Sequence, residues 1–551
     1  MKLGPRGRLY GSLGVLVIVP ALLGLNACGS SSNDTQQGGE MVANLTSYPD
    51  YLDPQLSYTA EGWEALYPTY TPLLTYAHEP GEAGTEVIPG LAEDLPDVTP
   101  DGKTYDLTLR KGMEYSDGTP IKACDFKFAV ERMFDVNSGG SSFYTDIVGA
   151  ADYQKGSADE ISGIECDDDS GDITINLEEP RGTFQQELAL MFVAPVPPDT
   201  PKDENQTKSP PPSSGPFTIT DVKPGRTFVM KKNPKFQTIL DAGADIPEAQ
   251  VDEITVEEVK NTSTQVTDVE QNEVDYMFDP PAPDRLPEVE QKYADRFRFE
   301  DSINVYYFWM NNAEPPFDDV KVRQAVNYAI DPAALTRLFG GRLNVSQTIL
   351  PEGMPGHKDF ELYPGPDIEK AKQLIEEADP SDTDITVWTN DEPDRKKLGA
   401  YYQDVLNDIG FNADLKIING EIYFAQIGNQ KTENLDTGFS DWFQDYPHPN
   451  DFFQPLLSGE SIQPTNNQNN SLTDIPALNK KIDELAQEEF TPEVQQQYGD
   501  LDEAFMKEAV WAPYGSERFT TFVSDRLNFD EVFWHPLMSH DWTSFALNEG
   551  S

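Results

Sequence analysis

Cysteine is nearly absent from this sequence: three residues in 551, at positions 28, 124 and 166. No C-x-x-C pair can be formed from them, which excludes a dithiol redox site or a cysteine-rich zinc site. Histidine occurs five times, at 78, 357, 448, 535 and 540, with no H-E-x-x-H and no metal-ligand spacing. There is no G-x-S-x-G elbow, and "DGKT" carries Asp97 where a phosphate loop needs its first glycine. In "DDDSGD" at 167–172 the glycine comes one position early for a calcium loop, and a strand follows at once. An extracellular hydrolase therefore has no motif to stand on, and neither a cofactor nor a metal is expected. Positive charge is the other shortage. Forty basic residues against 96 acidic ones leave a net charge of −56, a field that repels a polyanion and excludes nucleic acid as partner. The bland source of such charge is a solvated acidic shell.

A long apolar run is missing too. The stretch from Leu13 to Leu25 is short for a membrane span and contains Pro20. Preceded by Lys2, Arg6 and Arg8, it has the layout of a secretory signal. Leu25-Asn26-Ala27-Cys28 resembles a bacterial lipobox, in which the cysteine thiol is lipidated and becomes the first mature residue; Asn26 is unusual there. "GSSSNDTQQGGE" then reads as a flexible tether. Two acyl chains give a stable anchor where one does not, so a diacylated Cys28 would hold the protein at the outer face of a membrane. In that oxidising compartment Cys124 and Cys166 are expected to form a structural disulfide.

At this length one core does not suffice, and two or three domains are expected. Strand and helix signals mix throughout, giving an α/β class. "DGKTYDLTLRKGMEYSDGTP" reads as strands with D-G turns, followed by the helix pattern "CDFKFAVERMF". "FTITDVKPGRTFVMKKNP" is a hairpin centred on Pro224-Gly225, and "VTDVEQNEVDYMF" a helix ending near Asn272 and then a buried strand. Val322, Ala325, Val326, Ala329 and Ile330 lie on one helical stripe. "PPDTPKDENQTKSPPPSSGP" reads as a long surface connection, and "NNQNNSLTD" as a flexible loop.

The stretch "SDWFQDYPHPND", 440–451, holds three aromatics and three carboxylates, with two prolines that forbid a regular helix or central strand. It is either a loop packing its own side chains or part of a concave site in which Asp445 meets a cation between rings.

This stretch, with "YDLTLRKGMEYSDGTPIKACDFKFAVER", "SSGPFTITDVKPGRTFVMKKNPKF" and "FDDVKVRQAVNYAID" in the same order, resembles the peptide-binding family of extracellular solute-binding proteins of ABC transporters. The similarity runs from about Asp53 to Tyr514. It implies two lobes on a hinge, a periplasmic-binding-protein-like (Venus flytrap) fold with an extra domain inserted in the first lobe. The expected division is signal 1–27, tether 28–40, lobe I at 41–76, 197–300 and 512–551, inserted domain 77–196 and lobe II 301–511. It also implies roles. Asp445 would pair with a ligand's N-terminal ammonium, Trp442 would wall a side-chain pocket, and the main chains of Asp441 and Phe443 would bond the peptide as an added strand. The stretch around Thr59 and Ala60 would offer backbone contacts from the other lobe. An ABC permease with its ATPase subunits would be the partner of a monomeric receptor. Two departures stand out: Asn272 replaces a glycine, tolerable because Asn adopts the left-handed conformation at helix ends, and His448, between the prolines, is expected as a surface histidine. Within the family, an oligosaccharide, a nickel complex or a signalling peptide remain alternative ligands.

Overall fold

The computed structural model describes residues 35–202, 209–488 and 490–550. The signal, the lipobox and Cys28 lie outside the described residues. The alternating stretch "EMVANL" forms the strand Glu40–Leu45, in a five-stranded sheet with the order 276–277, 40–45, 253–258, 227–232, 217–223. Glu40–Leu45 runs parallel to both neighbours, and the outer two strands are antiparallel. The hairpin turns at Gly225, whose φ of 66° lies in the left-handed region open to glycine. Helix Thr262–Glu270 ends before Asn272, whose φ of 59° is the left-handed conformation anticipated there.

A second sheet of six strands has the order 343–344, 511–517, 304–310, 437–443, 384–390, 412–418. Its strand Asn304–Met310 is buried at every position, as a strand covered on both faces must be. Helix Val320–Ala329 turns the stripe Val322, Ala325, Val326 and Ala329 into its core. Helix Pro393–Ile409 ends at Gly410, φ 117°, and the chain re-enters the sheet as Asn412–Ile418. Trp511–Glu517 belongs to this sheet, so the lobe boundary expected at 511/512 is corrected to the end of that strand.

A four-stranded antiparallel sheet, in the order 97–98, 104–108, 172–176, 164–166, carries helix Ala123–Asp135. Cys124 and Cys166 are disulfide-bonded there, with Cα atoms 5.3 Å apart. Its apolar residues, Tyr105 and Phe126 among them, join the same core as Met41 and Ile254 of the first sheet. The six-stranded sheet has a separate core. The chain passes between the two cores close to the antiparallel pair Phe297–Glu300 and Phe519–Phe522, which gives the molecule two lobes on a two-segment hinge.

Three expectations fail. Thr35–Gln36 pairs with Leu547–Asn548, so the expected tether is strand-paired from Thr35 onward. "NNQNNSLTD" is not a flexible loop: Asn467, Asn469, Ser471 and Thr473 are buried, with Asn469 bonding Ser458 O, Thr473 O and Thr473 N. Polar composition suggested solvent, but these amides serve buried backbone groups. The described flanks of the proline-rich connection are also packed, with Val196, Ser213 and Ser214 fully buried.

Candidate functional site

A cleft lined from both sides lies between the lobes. All six residues anticipated as ligand-binding line it: Thr59 and Ala60 from lobe I, and Asp441, Trp442, Phe443 and Asp445 from lobe II.

The local sequence explains the arrangement. Thr437–Phe443 pairs antiparallel with Asn304–Met310 along its whole length, but on its other edge it meets Asp384–Asn390 only at Thr437 and Gly438. From Phe439 onward no strand covers that edge among the described residues. The Phe439 carbonyl points there, accepting from the Tyr423 hydroxyl that also bonds Trp388 O. By the two-residue period of a strand, the main chains of Asp441 and Phe443 face the same open edge. The chain then leaves the sheet, and helix Asn450–Leu457 starts behind Pro449. Asp451, in that helix's first turn, fixes the connection: its Oδ2 accepts from the Asp445 N–H at 2.8 Å and from Trp442 Nε1 at 3.3 Å.

Asp445 is 5% exposed. Its Oδ2 accepts a 2.5 Å bond from the hydroxyl of Tyr58, in lobe I. The Tyr58 ring packs against Trp442, Trp63 and Phe192, with centroids 5.2, 5.7 and 4.7 Å away. Burial pushes the Asp445 carboxyl up to about 8, opposed by its hydrogen bonds with Tyr58 and Asp451. Burial and the adjacent Asp445 hold Asp451 well above the usual carboxylate range as well. Both carboxyls are thus biased towards their neutral forms, and a cation entering beside Asp445 would favour the charged one.

Thr59 caps helix Ala60–Leu66 through its side chain and gives its carbonyl to Trp63 N–H, so the carbonyl is spent inside the helix. No motif marked Asp50, Tyr58, Glu61 or Arg395, yet all line the cleft. Asp50 organises the approach to it, accepting from the Tyr58 N–H, Ser57 Oγ and Thr59 Oγ1 at 2.8 to 3.1 Å. Arg395 pairs with Asp441 at 3.2 Å and reaches Glu392 at 3.9 Å. The ionisable lining is otherwise acidic: Asp50, Glu61, Asp279, Glu392, Glu421, Asp441 and Asp445. A signal was present in the "SYPDYL…SYTAEGWEAL" stretch, where an acid precedes an aromatic at loop spacing, but it is not a recognisable motif.

His448 is corrected from a surface residue to a buried one, 6% exposed. Its ring packs 4.1 Å from Phe490, its Nδ1 accepts from Asn450 N–H, and burial lowers its pKa to about 3. It is a neutral core side chain outside the cleft lining.

Two lobes, a two-segment hinge and a buried cleft with an unpaired strand edge define a hinged solute-binding protein. Residues 86–464 match the family model described as bacterial extracellular solute-binding proteins, family 5, middle part, and the chain belongs to that family. It is 25% identical over 468 residues to the dipeptide-binding protein DppE of Bacillus subtilis, covering 79% of this chain and 80% of that protein. The fold is that of the Helicobacter pylori periplasmic binding protein DppA in complex with the peptide STSA, with TM-score 0.80, 20% identity and coverage of 93% and 99%. It is also that of Haemophilus influenzae OppA in complex with RPPGFSPFR, with TM-score 0.79, 18% identity and coverage of 94% and 100%. Among the described residues no helix is long and apolar enough to cross a membrane.

Proposed function

We propose that this protein is the solute-binding component of an ABC importer, capturing short peptides outside the cell by hinge closure and delivering them to a membrane permease with its ATPase subunits. The observation that carries the reading is the buried Asp445 carboxylate at the end of an open strand edge. A peptide ammonium gives that carboxylate a charge-assisted partner. The main chains of Asp441 and Phe443 can bond the ligand backbone regardless of its sequence. Trp442 and Tyr58 wall the space for side chains. The resemblance to proteins named for dipeptide and oligopeptide binding points the same way. On this reading the protein performs no catalysis, acts as a monomer, and is held at the outer face of the cell membrane through lipidated Cys28.

Titration calorimetry of the purified protein with tri- and tetrapeptides, free or N-acetylated, tests it. Acetylation, and Asp445→Asn, should each cost about 2–5 kcal/mol, a loss of roughly 30- to several thousand-fold in affinity. Equal binding of acetylated peptides would remove Asp445 from the role, and absence of any peptide binding would remove the role itself.

A further inference from the structure

The acidic end of the cleft gathers four carboxyls; Arg342 and Lys260 border it, but they are already paired with Glu517 and with Glu258 and Asp391. From lobe I, Glu61 and Asp279 face it; from lobe II, Glu392 and Asp441 do. Arg395 is the one cation lining this cleft among the described residues, and it already serves Asp441 and Glu392. Asp279 is held by the Thr46 N–H and hydroxyl, at 3.0 and 2.6 Å. Among the described residues no basic side chain pairs with the Glu61 carboxylate. These groups stand close. Burial and the facing Asp279, Glu392 and Asp441 carboxylates hold Glu61 well above the usual range, and burial brings Glu392 to about 7. The lobes also touch here: a Cβ placed on Gly420 would lie 3.0 Å from both Glu392 Oε1 and Ser47 Oγ of lobe I.

A separate observation marks the adjoining wall, where Tyr48 follows Ser47 and lies near Glu421. Tyr48 of lobe I lines the cleft, is 8% exposed, and its hydroxyl has no hydrogen-bond partner among the described residues. A buried polar atom without a partner is costly, and a ligand donor would relieve it. Closing two lobes that each bring carboxylates to one place is opposed by like-charge repulsion, and a cation between them reverses the sign.

Resting on the peptide-binding reading, we propose that the cleft selects peptides with a cationic side chain, lysine- or arginine-like, whose head group sits between Glu61 and Asp279 of one lobe and Glu392 and Asp441 of the other. Asp441 lies four residues before Asp445, two of them beyond the strand Thr437–Phe443, a span of at most about 13 Å at about 3.3 Å per residue. A ligand anchored by its ammonium at Asp445 therefore brings the side chain of its second to fourth residue to the acidic end.

The test is titration calorimetry of the purified protein with alanine tetrapeptides carrying lysine at position two, three or four. Matched norleucine peptides keep the length and remove the charge. At one of these positions lysine should bind at least tenfold tighter than norleucine, with the ratio shrinking as salt is raised. Glu61→Gln and Glu392→Gln should each reduce the ratio at least threefold. Lysine and norleucine peptides binding within twofold of each other at every position would overturn the inference and leave the peptide reading standing. So would a ratio unchanged in both folded variants. If no peptide binds at all, both readings fall together. Should one variant fail to fold, the other variant and the unmodified protein's ratio still decide.

Discussion

The Tyr58 hydroxyl and Asp445 Oδ2, 387 positions apart in the chain, meet at 2.5 Å across the two lobes. The carboxylate proposed to meet the ligand's ammonium thus has a donor from the opposite lobe, and the N–H of Asp445 is held by Asp451. Ligand capture must rearrange this set, which makes binding depend on pH.

The sign follows from the Asp445 carboxyl, pushed up to about 8 by burial. Below that pH it holds a proton that an incoming ammonium must expel, so affinity falls as pH drops, approaching tenfold per unit. Above it the peptide α-amine, with a pKa of about 8, loses its own proton. Affinity should peak near pH 8. At pH 6.5, calorimetry in two buffers of different ionisation enthalpy should report close to one proton released per peptide; equal heats in both would refute this.

Tyr58→Phe removes the hydroxyl and keeps the ring among Trp63, Phe192 and Trp442. Because the Tyr58 bond lowers the Asp445 carboxyl, its loss moves the acidic limb of the affinity profile to higher pH. At pH 7 the variant should bind free-amine peptides less tightly, by roughly 10-fold for a lost bond to a charged group of about 1.5 kcal/mol. A limb that stays in place would mean that Tyr58 does not act on this carboxyl in solution.

Burial of Asp445 also sets stability against function. A carboxyl raised in the folded state binds more protons there than in the unfolded chain between about pH 4, the ordinary carboxylate value, and about 8. Stability of the ligand-free protein therefore declines as pH rises through that window. Asp445→Asn removes the buried charge, so its ligand-free Tm should exceed that of the unmodified protein at pH 8 and approach it at pH 5. The variant should lose the upward Tm shift that peptide gives the unmodified protein. A lower Tm at pH 8 would contradict the account.

Lys260 of lobe I pairs with Asp391 of lobe II at 2.9 Å, with both side chains about a third exposed. A pair this open contributes about 0.2–1 kcal/mol, and it exists only when the lobes are together. Lys260→Met should weaken peptide affinity by roughly 1.5- to 5-fold, with the loss residing in the dissociation rate. Stopped-flow measurement of peptide release checks this; an unchanged release rate would show that the pair does not hold the closed state.

Much of the fold was legible in periodicity, because Val322 to Ala329 and the strand alternations report burial directly. The loop around Asp445 was legible because its residues are contiguous: Trp442 and Asp451 reach it through one short stretch of chain. Tyr58, Glu61 and Arg395 were not: Tyr58 and Glu61 flank Thr59 and Ala60 on one stretch of lobe I, Arg395 comes from helix Pro393–Ile409, and only the folded lobes bring them to the strand edge before Asp445. Composition misled where polar side chains serve a buried backbone, as Asn469 does, and where a ring flanked by prolines packs inward, as His448 does against Phe490. Asn272 succeeded because one residue's backbone conformation is a local property.

The disulfide lies away from the cleft. Cys124 begins the helix Ala123–Asp135, and Cys166 ends the three-residue strand Ile164–Cys166 at the edge of the four-stranded sheet. So short an edge strand has few ladder bonds of its own, and the cross-link ties it to the helix. Closing a loop with a sequence separation of 42 lowers the entropy of the unfolded chain by an amount worth about 4 kcal/mol on the loop-closure model. The double variant Cys124→Ser, Cys166→Ser should therefore show a markedly lower Tm and earlier proteolysis within 97–176. Its peptide affinity at 25 °C should stay within twofold, since neither cysteine lines the cleft. A large loss of affinity with the fold intact would mean that the edge of the four-stranded sheet is coupled to closure, and the cleft could no longer be treated as independent of it.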